Sequence, residues 1–379
     1  MAFKTLKKAS LKNKRVIVRV DFNVPLDSKG KIVNDKKIRA ALPTIKLILK
    51  NKPSQLILMT SLGRPKGKVI SKLKTDNIAK KLSRLLKLKV SKINSCVDVK
   101  IPDAKIVFLE NLRFYKEERE NNKVFAKKLA SFADIYVNDA FANSHRMHAS
   151  MYAITKYLPS YAGLLLEKEI HILNKIKRPK RPFIAIIGGA KVDDKLKLIK
   201  QLTKKADKIL LGGAMIFAFY KSKGLEIGKS LCGGVSTAKK VHSKKIILPG
   251  SVVVANKKGN KFINIKTVNA NEITKNQIGL DVGEKSIQEL GKQIKKAKTI
   301  FWNGPLGLFE KKPFDKGTVL VAKMLAKSKA TVVIGGGDVV AAFEKIKLKS
   351  RNVHLSTGGG ASIAFIEGDL PAIKALEKS

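Results

Sequence analysis

Residues 331–338 read Thr-Val-Val-Ile-Gly-Gly-Gly-Asp, and this stretch indicates how the chain folds. A β-branched apolar run of this kind is typical of a strand buried on both faces. The run ends at three glycines and an aspartate, after which a helical pattern begins at Val339. A strand, a glycine turn and a helix in this order present free backbone N–H groups to an anion, usually phosphate. For a single glycine triplet, a tight packing turn is an equal alternative.

Three further apolar runs in the same half of the chain end in glycine-rich turns. They lead into Gly188-Gly189-Ala190-Lys191, Gly212-Gly213-Ala214 and Gly358-Gly359-Gly360. The carboxyl ends of parallel strands lie along one rim of an open sheet, and ligands bind along that rim. This repetition favours a phosphate-binding rim over unrelated packing turns.

The first half of the chain also alternates strands and helices, but arginines follow its strands. Arg64, Arg113 and Arg146 each come shortly after an apolar run. Guanidinium groups bind phosphate or carboxylate through paired hydrogen bonds. A surface salt bridge is the better explanation for any one of them, whereas three at equivalent places favour an anion site. We therefore expect a small polyanion in the first half and a nucleotide in the second.

Composition limits the class of protein. A chain of 379 residues with 44% hydrophobic and 28% charged residues suits two globular domains, and no apolar run is long enough to span a bilayer. Cys96 and Cys232 lack the spacing of a disulfide framework, which predicts a reduced, cytoplasmic protein. The absence of a G-x-G-x-x-G motif argues against a dinucleotide dehydrogenase.

The formal net charge of +49 raises the question of nucleic-acid binding. Only 11 of the 78 basic residues are arginine, and the lysines are spread along the whole chain. Base-reading surfaces use clustered arginine, so scattered lysine favours drift at solvent positions over specific nucleic-acid recognition. A positive field of this size still attracts anionic substrates in general.

Local patterns predict two further features. Asp35 is predicted to cap a helix with Ile38, Ala41, Leu42 and Ile45 on one apolar face. Lys191 and Lys195 lie four residues apart, which predicts that they share one face of a helix after the first glycine turn.

At this level of detail the sequence resembles the phosphoglycerate kinase family over essentially its whole length. Eight motifs occur in the order found in that family. They are Arg19-Val20-Asp21-Phe22-Asn23-Val24-Pro25, Leu62-Gly63-Arg64-Pro65, Glu110-Asn111-Leu112-Arg113-Phe114, Asp139-Ala140-Phe141 with His145-Arg146, Gly188-Gly189-Ala190-Lys191-Val192 with Lys195, Trp302-Asn303-Gly304-Pro305, Gly335-Gly336-Gly337-Asp338 and Ser356-Thr357-Gly358-Gly359-Gly360.

The resemblance implies an α/β fold with two Rossmann-like, doubly wound parallel-sheet domains joined by a hinge helix. The implied boundaries are a phosphoglycerate-binding domain at 1–162, a connecting helix at 163–177, a nucleotide-binding domain at 178–362, and a segment at 363–379 that returns to the first domain. It also implies a monomer that closes about the hinge.

The implied reaction transfers a phosphoryl group between 1,3-bisphosphoglycerate and MgADP, giving 3-phosphoglycerate and ATP. Its nucleophile in the ATP-consuming direction is a carboxylate that is already ionised, so no general base is required. The site residues that the resemblance implies fall into four groups. They are Lys37, Lys191, Gly337 and Gly359 for catalysis; Asp21, Asn23, Ser61, Gly63, Arg64, Arg113 and Arg146 for phosphoglycerate; Lys195, Gly212, Gly213, Pro305, Glu310, Gly336, Gly337, Asp338 and Val339 for nucleotide; and Asp338 for Mg²⁺.

The chain departs from the family pattern at contact positions. Lys37 stands where the family has arginine, Ser61 where it has histidine, and Val339 where it has threonine or serine. These substitutions leave a catalytically weakened kinase as the second interpretation. A basic nucleic-acid-binding protein on the same fold is a distant third.

Overall fold

The computed structural model describes residues 3–241, 243–346 and 350–378. The chain divides into two compact units. One unit runs to His171 and is completed by the segment from Asp369 onward, and the other is Ile172–Gly368. Within the described ranges, no helix combines the length and apolarity needed to cross a membrane.

The first unit is built on a six-stranded parallel sheet. Its strands β1, β2 and β5 are buried almost throughout, as expected for apolar, β-branched runs in a parallel sheet that is covered on both faces. The spatial order of the strands is β3-β4-β2-β1-β5-β6. The bounds are β1 Arg15–Val20, β2 Gln55–Met59, β3 Ser91–Lys92, β4 Ile106–Phe108, β5 Ile135–Asp139 and β6 Ser160–Ala162.

Helices cover this sheet, and their apolar stripes complete its core. Helix α1 buries Ile38, Ala41 and Ile45, as the sequence pattern predicted, whereas Leu42, predicted on the same face, is half-buried at the edge of the core. The last helix of the chain belongs to this unit, where Ala372 N donates to Ser144 O at 3.2 Å. The bounds are α1 Lys36–Lys50, α2 Asp76–Leu86, α3 Lys116–Arg119, α4 Lys123–Ala130, α5 Leu164–Lys177 and α13 Pro371–Glu377. The boundary between the two units falls inside α5.

The second unit contains a second six-stranded parallel sheet, in the order β15-β14-β13-β7-β8-β9. Four of its strands end at the glycine turns identified in the sequence, as predicted. The bounds are β7 Phe183–Ile187, β8 Lys208–Leu211, β9 Ile246–Ile247, β13 Thr299–Asn303, β14 Thr331–Gly335 and β15 Val353–Leu355.

A three-stranded antiparallel sheet, which the sequence analysis did not predict, also belongs to the second unit. Its order is β11-β10-β12, with bounds β10 Ser251–Lys258, β11 Lys261–Asn269 and β12 Ile278–Val282. The helices of this unit are α6 Leu196–Lys205, α7 Ile216–Ser222, α8 Val235–Lys239, α9 Glu284–Lys296, α10 Lys316–Lys327, α11 Gly337–Lys345 and α12 Gly359–Glu367.

Two local predictions need correction. Asp35 precedes α1, but its carboxylate accepts hydrogen bonds from the Arg39 side chain and pairs with Lys81 instead of capping a backbone N–H. Lys191 lies in the turn after β7, and Lys195 ends a short 3-10 turn, Asp193–Lys195, that precedes α6. The two lysines therefore do not share a helix face, because the chain turns between them.

Candidate active site

The carboxyl ends of the strands in the first unit surround a polar cavity of about 610 Å³. Arg64 follows β2, Arg113 lies in a 3-10 turn after β4, and Arg146 follows β5. Parallel strands bring these loops to one rim of the sheet. Seven of the eight residues that the resemblance assigned to this unit line the cavity: Asp21, Asn23, Lys37, Gly63, Arg64, Arg113 and Arg146.

Hydrogen bonds fix the backbone of this cavity before any ligand binds. Asn23 Oδ1 accepts from Gly63 N at 2.9 Å, and Arg113 Nη1 donates to the carbonyl of the same glycine. Gly63 has φ +63°, and a side chain there would collide with Leu73. A glycine is therefore required where the loop from β2 meets the loop from β4.

Mutual repulsion among the guanidinium groups shapes the electrostatics of the cavity. Burial, together with the charges of Arg19 and Arg146, lowers the pKa of Arg113 to about 10. Burial and the charge of Arg64 likewise lower the pKa of Arg146. Both groups stay protonated at neutral pH, so the repulsion between them is relieved when an anion binds. The cavity is therefore suited to a polyanion.

Lys37 occupies the first turn of α1 and is held by a carboxylate. Its Nζ atom donates to Asp21 Oδ2 at 2.7 Å, and both side chains line the cavity. Ser61 is fully buried and does not line it. Its Oγ atom accepts from Arg19 Nη2 at 2.8 Å, because the guanidinium of Arg19 lies in the interior with Ser150 as a second partner. The assignment of Ser61 to substrate binding is therefore not matched by the position of its side chain.

The sequence analysis assigned no role to six residues that line the cavity: Pro65, Lys66, Arg119, Ala142, Asn143 and His148. Arg119, at the end of α3, and His148 both line the cavity. Arg119 stands in a mixed-charge run, Lys-Glu-Glu-Arg, that is typical of a solvated helix face, so no local signal identified it. Burial and the neighbouring arginines lower the pKa of His148 to about 3, so its imidazole is neutral at physiological pH.

The glycine turns of the second unit also lie at one rim, and close backbone approach explains their composition. A Cβ atom at Gly188 would lie 2.0 Å from Pro305 O, and one at Gly212 would lie 2.4 Å from Leu306 Cδ2. Gly213 has φ +69° and donates its N–H to Leu306 O at 2.8 Å. The loops after β7, β8 and β13 are therefore packed backbone to backbone.

A buried asparagine connects two of these loops to a lysine. Asn303, at the end of β13, accepts from Lys195 Nζ at 2.5 Å and donates to Gly335 O at 2.8 Å. Burial lowers the pKa of Lys195, and nearby acidic groups including Asp338 act in the opposite direction. Asn303 was quoted in a motif but given no role, because its position between the loops depends on the fold.

The amino ends of α11 and α12 meet at the same rim. A Cβ atom at Gly359 would lie 2.6 Å from the Cα atom of Gly336, which precedes α11 with φ +104°. The first N–H groups of a helix lack partners inside the helix and carry its positive dipole end. Two helix starts in contact therefore create one region that favours a phosphate group.

A mainly apolar cavity of about 290 Å³ adjoins these loops. Gly213, Pro305, Glu310 and Asp338 line it, together with side chains such as Phe217 and Leu280. An apolar slot with a few polar groups suits a purine and ribose. Trp302 is fully buried in the core beside it, with Nε1 donating to Gly304 O, so its role is packing.

Other assigned residues lie outside this cavity wall. Val339 is fully buried in the hydrophobic core, so only its backbone N–H is available to a ligand. Lys191 is exposed, and its side chain runs along Gly233. Lys195 instead contacts Asn303. The remaining three glycines lie at the amino ends of α11 and α12: Gly336, Gly337 and Gly359.

Taken together, an arginine-lined anion cavity on one parallel sheet and glycine-lined helix starts beside an apolar slot on another define an enzyme of the phosphoryl-transfer class with an α/β fold.

Comparisons with known proteins identify the particular family. The family model for phosphoglycerate kinase matches residues 6–369. A phosphoglycerate kinase of Dictyoglomus turgidum is 45% identical over 399 residues and covers 100% of both chains. A cytosolic phosphoglycerate kinase of Triticum aestivum is 46% identical over 99% of this chain and 98% of its own.

Solved structures agree with the sequence comparisons. Phosphoglycerate kinase from Coxiella burnetii superposes with a TM-score of 0.91 at 37% identity, covering 100% of this chain and 99% of its own. The enzyme from Pyrococcus horikoshii gives a TM-score of 0.84 at 30% identity, covering 99% and 98%. The chain belongs to the phosphoglycerate kinase family. The predicted fold class and the predicted glycolytic phosphoryl transfer between 1,3-bisphosphoglycerate and ADP are confirmed, and the alternative functions are not favoured.

Proposed function

We propose that the arginine-lined cavity of the first unit binds 3-phosphoglycerate and 1,3-bisphosphoglycerate. The convergence of Arg64, Arg113 and Arg146 from three strand ends is the observation that carries this proposal. Asp21 and Asn23 provide acceptors for the substrate hydroxyl, and paired guanidinium contacts hold its phosphate and carboxylate. Ser61 contributes through Arg19, its hydrogen-bond partner, rather than by contact.

We propose that the second unit binds ADP and ATP. The apolar slot takes the adenosine, with Gly213, Pro305 and Glu310 in its wall and Gly212 packed behind it against Leu306. Lys195 and the N–H groups from Gly336 to Val339 hold the phosphates, since cations and helix starts both attract anions. The kinase family and the loop contacts support this assignment.

Asp338 is proposed to hold Mg²⁺ together with the nucleotide phosphates. It is exposed in the first turn of α11, and no side chain in the described part of the chain forms a hydrogen bond or ion pair with it. The described residues contain no cluster of three or more metal-binding side chains. This arrangement fits Mg²⁺, which usually keeps several waters and is bound by one or two carboxylates plus substrate phosphates. When bound, the ion neutralises charge on the transferring phosphoryl group.

The protein contributes positioning and positive charge to the reaction. In the ATP-consuming direction, the attacking carboxylate of 3-phosphoglycerate is ionised at neutral pH, so no side chain has to remove a proton. We propose that Lys37 and Lys191 meet the transferring group as cations, and that the helix starts at Gly337 and Gly359 donate N–H groups to it. Preorganised donors of this kind are usually the largest contribution to such catalysis.

Each proposed binding cavity lies within one unit, and phosphoryl transfer needs both substrates in one site from which water is excluded. We therefore propose closure about the connecting helix at 163–177. This helix would join a phosphoglycerate domain at 1–162 to a nucleotide domain at 178–362. The segment 363–379 is assigned to the phosphoglycerate domain. A monomer suffices, since one chain carries both cavities. The free thiols of Cys96 and Cys232 support a reducing, cytoplasmic location.

Two variants test the assignment of ligands to units. Asp338→Ala should abolish Mg²⁺-dependent turnover while leaving the affinity for 3-phosphoglycerate nearly unchanged in calorimetry. Arg146→Ala should do the reverse, losing 3-phosphoglycerate while retaining MgADP. If Asp338→Ala instead loses 3-phosphoglycerate affinity, the assignment is wrong.

A further inference from the structure

A buried carboxylate outside the assigned residues lies against the nucleotide slot. Asp281, in β12, is only 4% exposed and lines the cavity proposed for adenosine. Its Oδ2 atom accepts from Gly317 N at 2.7 Å, and its Oδ1 atom accepts from Val282 N at 2.8 Å. Because Gly317 is the second residue of α10, this carboxylate caps the start of that helix although it comes from another element.

The same carboxylate contacts the loop that follows β13. A Cβ atom added at Gly307 would lie 2.3 Å from Asp281 Oδ1, and one at Gly317 would lie 2.5 Å from the same atom. Asp281 therefore restricts both positions to glycine, and at Gly307 the carbonyl oxygen of Phe314, 2.5 Å from the added Cβ atom, restricts the position as well. The loop is fastened nearby as well, since Leu308 N donates to Leu280 O at 2.8 Å. Loop, strand and helix thus converge on one side chain.

Holding a carboxylate here is energetically costly. The pKa of Asp281 is raised to about 7, mainly by burial; the hydrogen bonds from Gly317 and Val282 oppose this shift, and the carboxylate of Asp315 adds to it. Among the described residues no cation pairs with Asp281, and its hydrogen-bond donors are two backbone N–H groups. A buried ionisable group without a counter-charge, on the wall of a ligand cavity, is typical of a functional position rather than of packing alone.

We propose that Asp281 is a positioning residue for the nucleotide: it fixes the loop 304–310 against β12 and the start of α10, so that the adenosine slot is formed before ADP arrives. This inference rests on the proposed nucleotide site. Pro305 and Glu310, the residues assigned to adenosine, lie on that loop. Fixing a binding loop in advance removes the cost of ordering it when the ligand binds. The residue acts through the loop and takes no part in the chemistry.

Asp281→Ala should therefore raise KM for ADP by about tenfold. This is the factor expected when the free energy of binding loses roughly the contribution of one hydrogen bond. The kcat value and KM for 1,3-bisphosphoglycerate should stay within about twofold, because neither depends on the adenosine slot. Asp281→Asn retains the shape and one acceptor oxygen, so it should recover most of the ADP affinity. Calorimetry with ADP checks that the KM change reflects binding.

A second pair of variants tests the contact itself. The three atoms nearest to a Cβ atom added at Gly317 all belong to the Asp281 side chain. Gly317→Ala alone should raise KM for ADP, since the methyl group displaces the carboxylate. Added to Asp281→Ala, it should have no further effect on KM and should stabilise the enzyme, because alanine is the better helix residue.

Asp207→Ala provides the matched control. Asp207 also accepts from a backbone N–H, that of Phe183, but at the amino end of the sheet in the same unit. It should lower the thermal midpoint without changing KM for ADP. The proposal is overturned if Asp281→Ala leaves KM for ADP unchanged, if Asp207→Ala raises it equally, or if Gly317→Ala acts the same with and without Asp281.

Lys195→Ala tests the proposed nucleotide site separately, through its effect on ADP binding. If that variant leaves ADP binding unchanged, the site itself is wrong. If it weakens ADP binding while the Asp281 variants do not, only the positioning role fails. Should Asp281→Ala not fold, Gly317→Ala alone still decides the question, because its methyl group perturbs the contact with the Asp281 side chain in place, and an unchanged KM for ADP overturns the proposal.

Discussion

Replacing Asp139 by asparagine should change how the stability of the first unit depends on pH. Asp139 ends β5 and is fully buried. Its Oδ1 atom accepts from the N–H groups of Leu165 and Leu166 at the start of α5, at 2.9 and 3.3 Å. Its Oδ2 atom has no hydrogen-bond partner in the described part of the chain. Burial consequently raises the pKa of this carboxyl to about 7 from 3.8.

The sign and size follow from linkage. A carboxyl whose folded pKa is raised favours folding while it is protonated, and this contribution is lost as pH rises from about 4 to about 7. Each pH unit in that window costs about 1.36 kcal/mol, so the wild type should lose about 2.5 kcal/mol between pH 5 and pH 8 through this group. Asparagine does not titrate. The stability of Asp139→Asn relative to wild type should rise by that amount over the same range.

Urea unfolding at pH 5 and pH 8 measures this difference, and natural probes separate the two units. Trp302, the single tryptophan, reports on the second unit, whereas five of the six tyrosines lie in the first. Tyrosine absorbance should show the pH-dependent difference, and tryptophan fluorescence should not.

Asp134→Asn serves as the control in the same unit. Arg15 lowers the pKa of Asp134, so this carboxylate titrates below the window and the variant's offset from wild type should be constant from pH 5 to pH 8. If Asp139→Asn and wild type instead lose stability in parallel over this range, Asp139 is ionised in the folded protein and the reasoning from burial is refuted.

Three further predictions concern the sites and the charge. Lys37→Arg should raise kcat by about tenfold, near 1.4 kcal/mol of barrier, with KM little changed, because a guanidinium offers a fixed fork and can still pair with Asp21; an unchanged or lower kcat in steady-state kinetics would mean that lysine is adapted to this site. Gly188→Ala should weaken ADP binding by about tenfold or more in calorimetry, since its methyl group would lie 2.0 Å from Pro305 O, whereas Gly250→Ala, with no atom within 4 Å, should bind normally. Duplex DNA should bind weakly, without sequence preference and with a steep salt dependence; sequence-selective binding at physiological salt in a titration would contradict the view that the lysines are drift.

Local signals carried the prediction of the fold. Each buried strand of the parallel sheets is an apolar run, and each glycine turn of the second unit marks a close backbone contact that a side chain would block. Each of these signals involves only a few adjacent residues, so it can be recognised in the sequence without knowledge of the fold. The β10–β12 sheet was missed because β11 is largely exposed and carries no apolar run for comparison.

Side-chain partners were harder to predict, because they depend on residues distant in sequence. Ser61 was assigned to substrate, but Arg19 from a neighbouring strand holds it in the interior. Asp35 lies at the capping position of α1, yet its carboxylate forms ion pairs with Arg39 and Lys81 instead of capping the helix. Asp281 has no motif at all, and only the fold brings it to the start of α10.

The most direct test of the account is ATP formation from 1,3-bisphosphoglycerate and ADP, followed in a coupled assay. The account predicts Mg²⁺-dependent ATP formation by the wild type, loss of activity in Asp338→Ala through the nucleotide side, and loss in Arg113→Ala through the phosphoglycerate side. It is contradicted if the folded wild type forms no ATP at saturating substrates, or if either variant retains wild-type turnover at every substrate concentration.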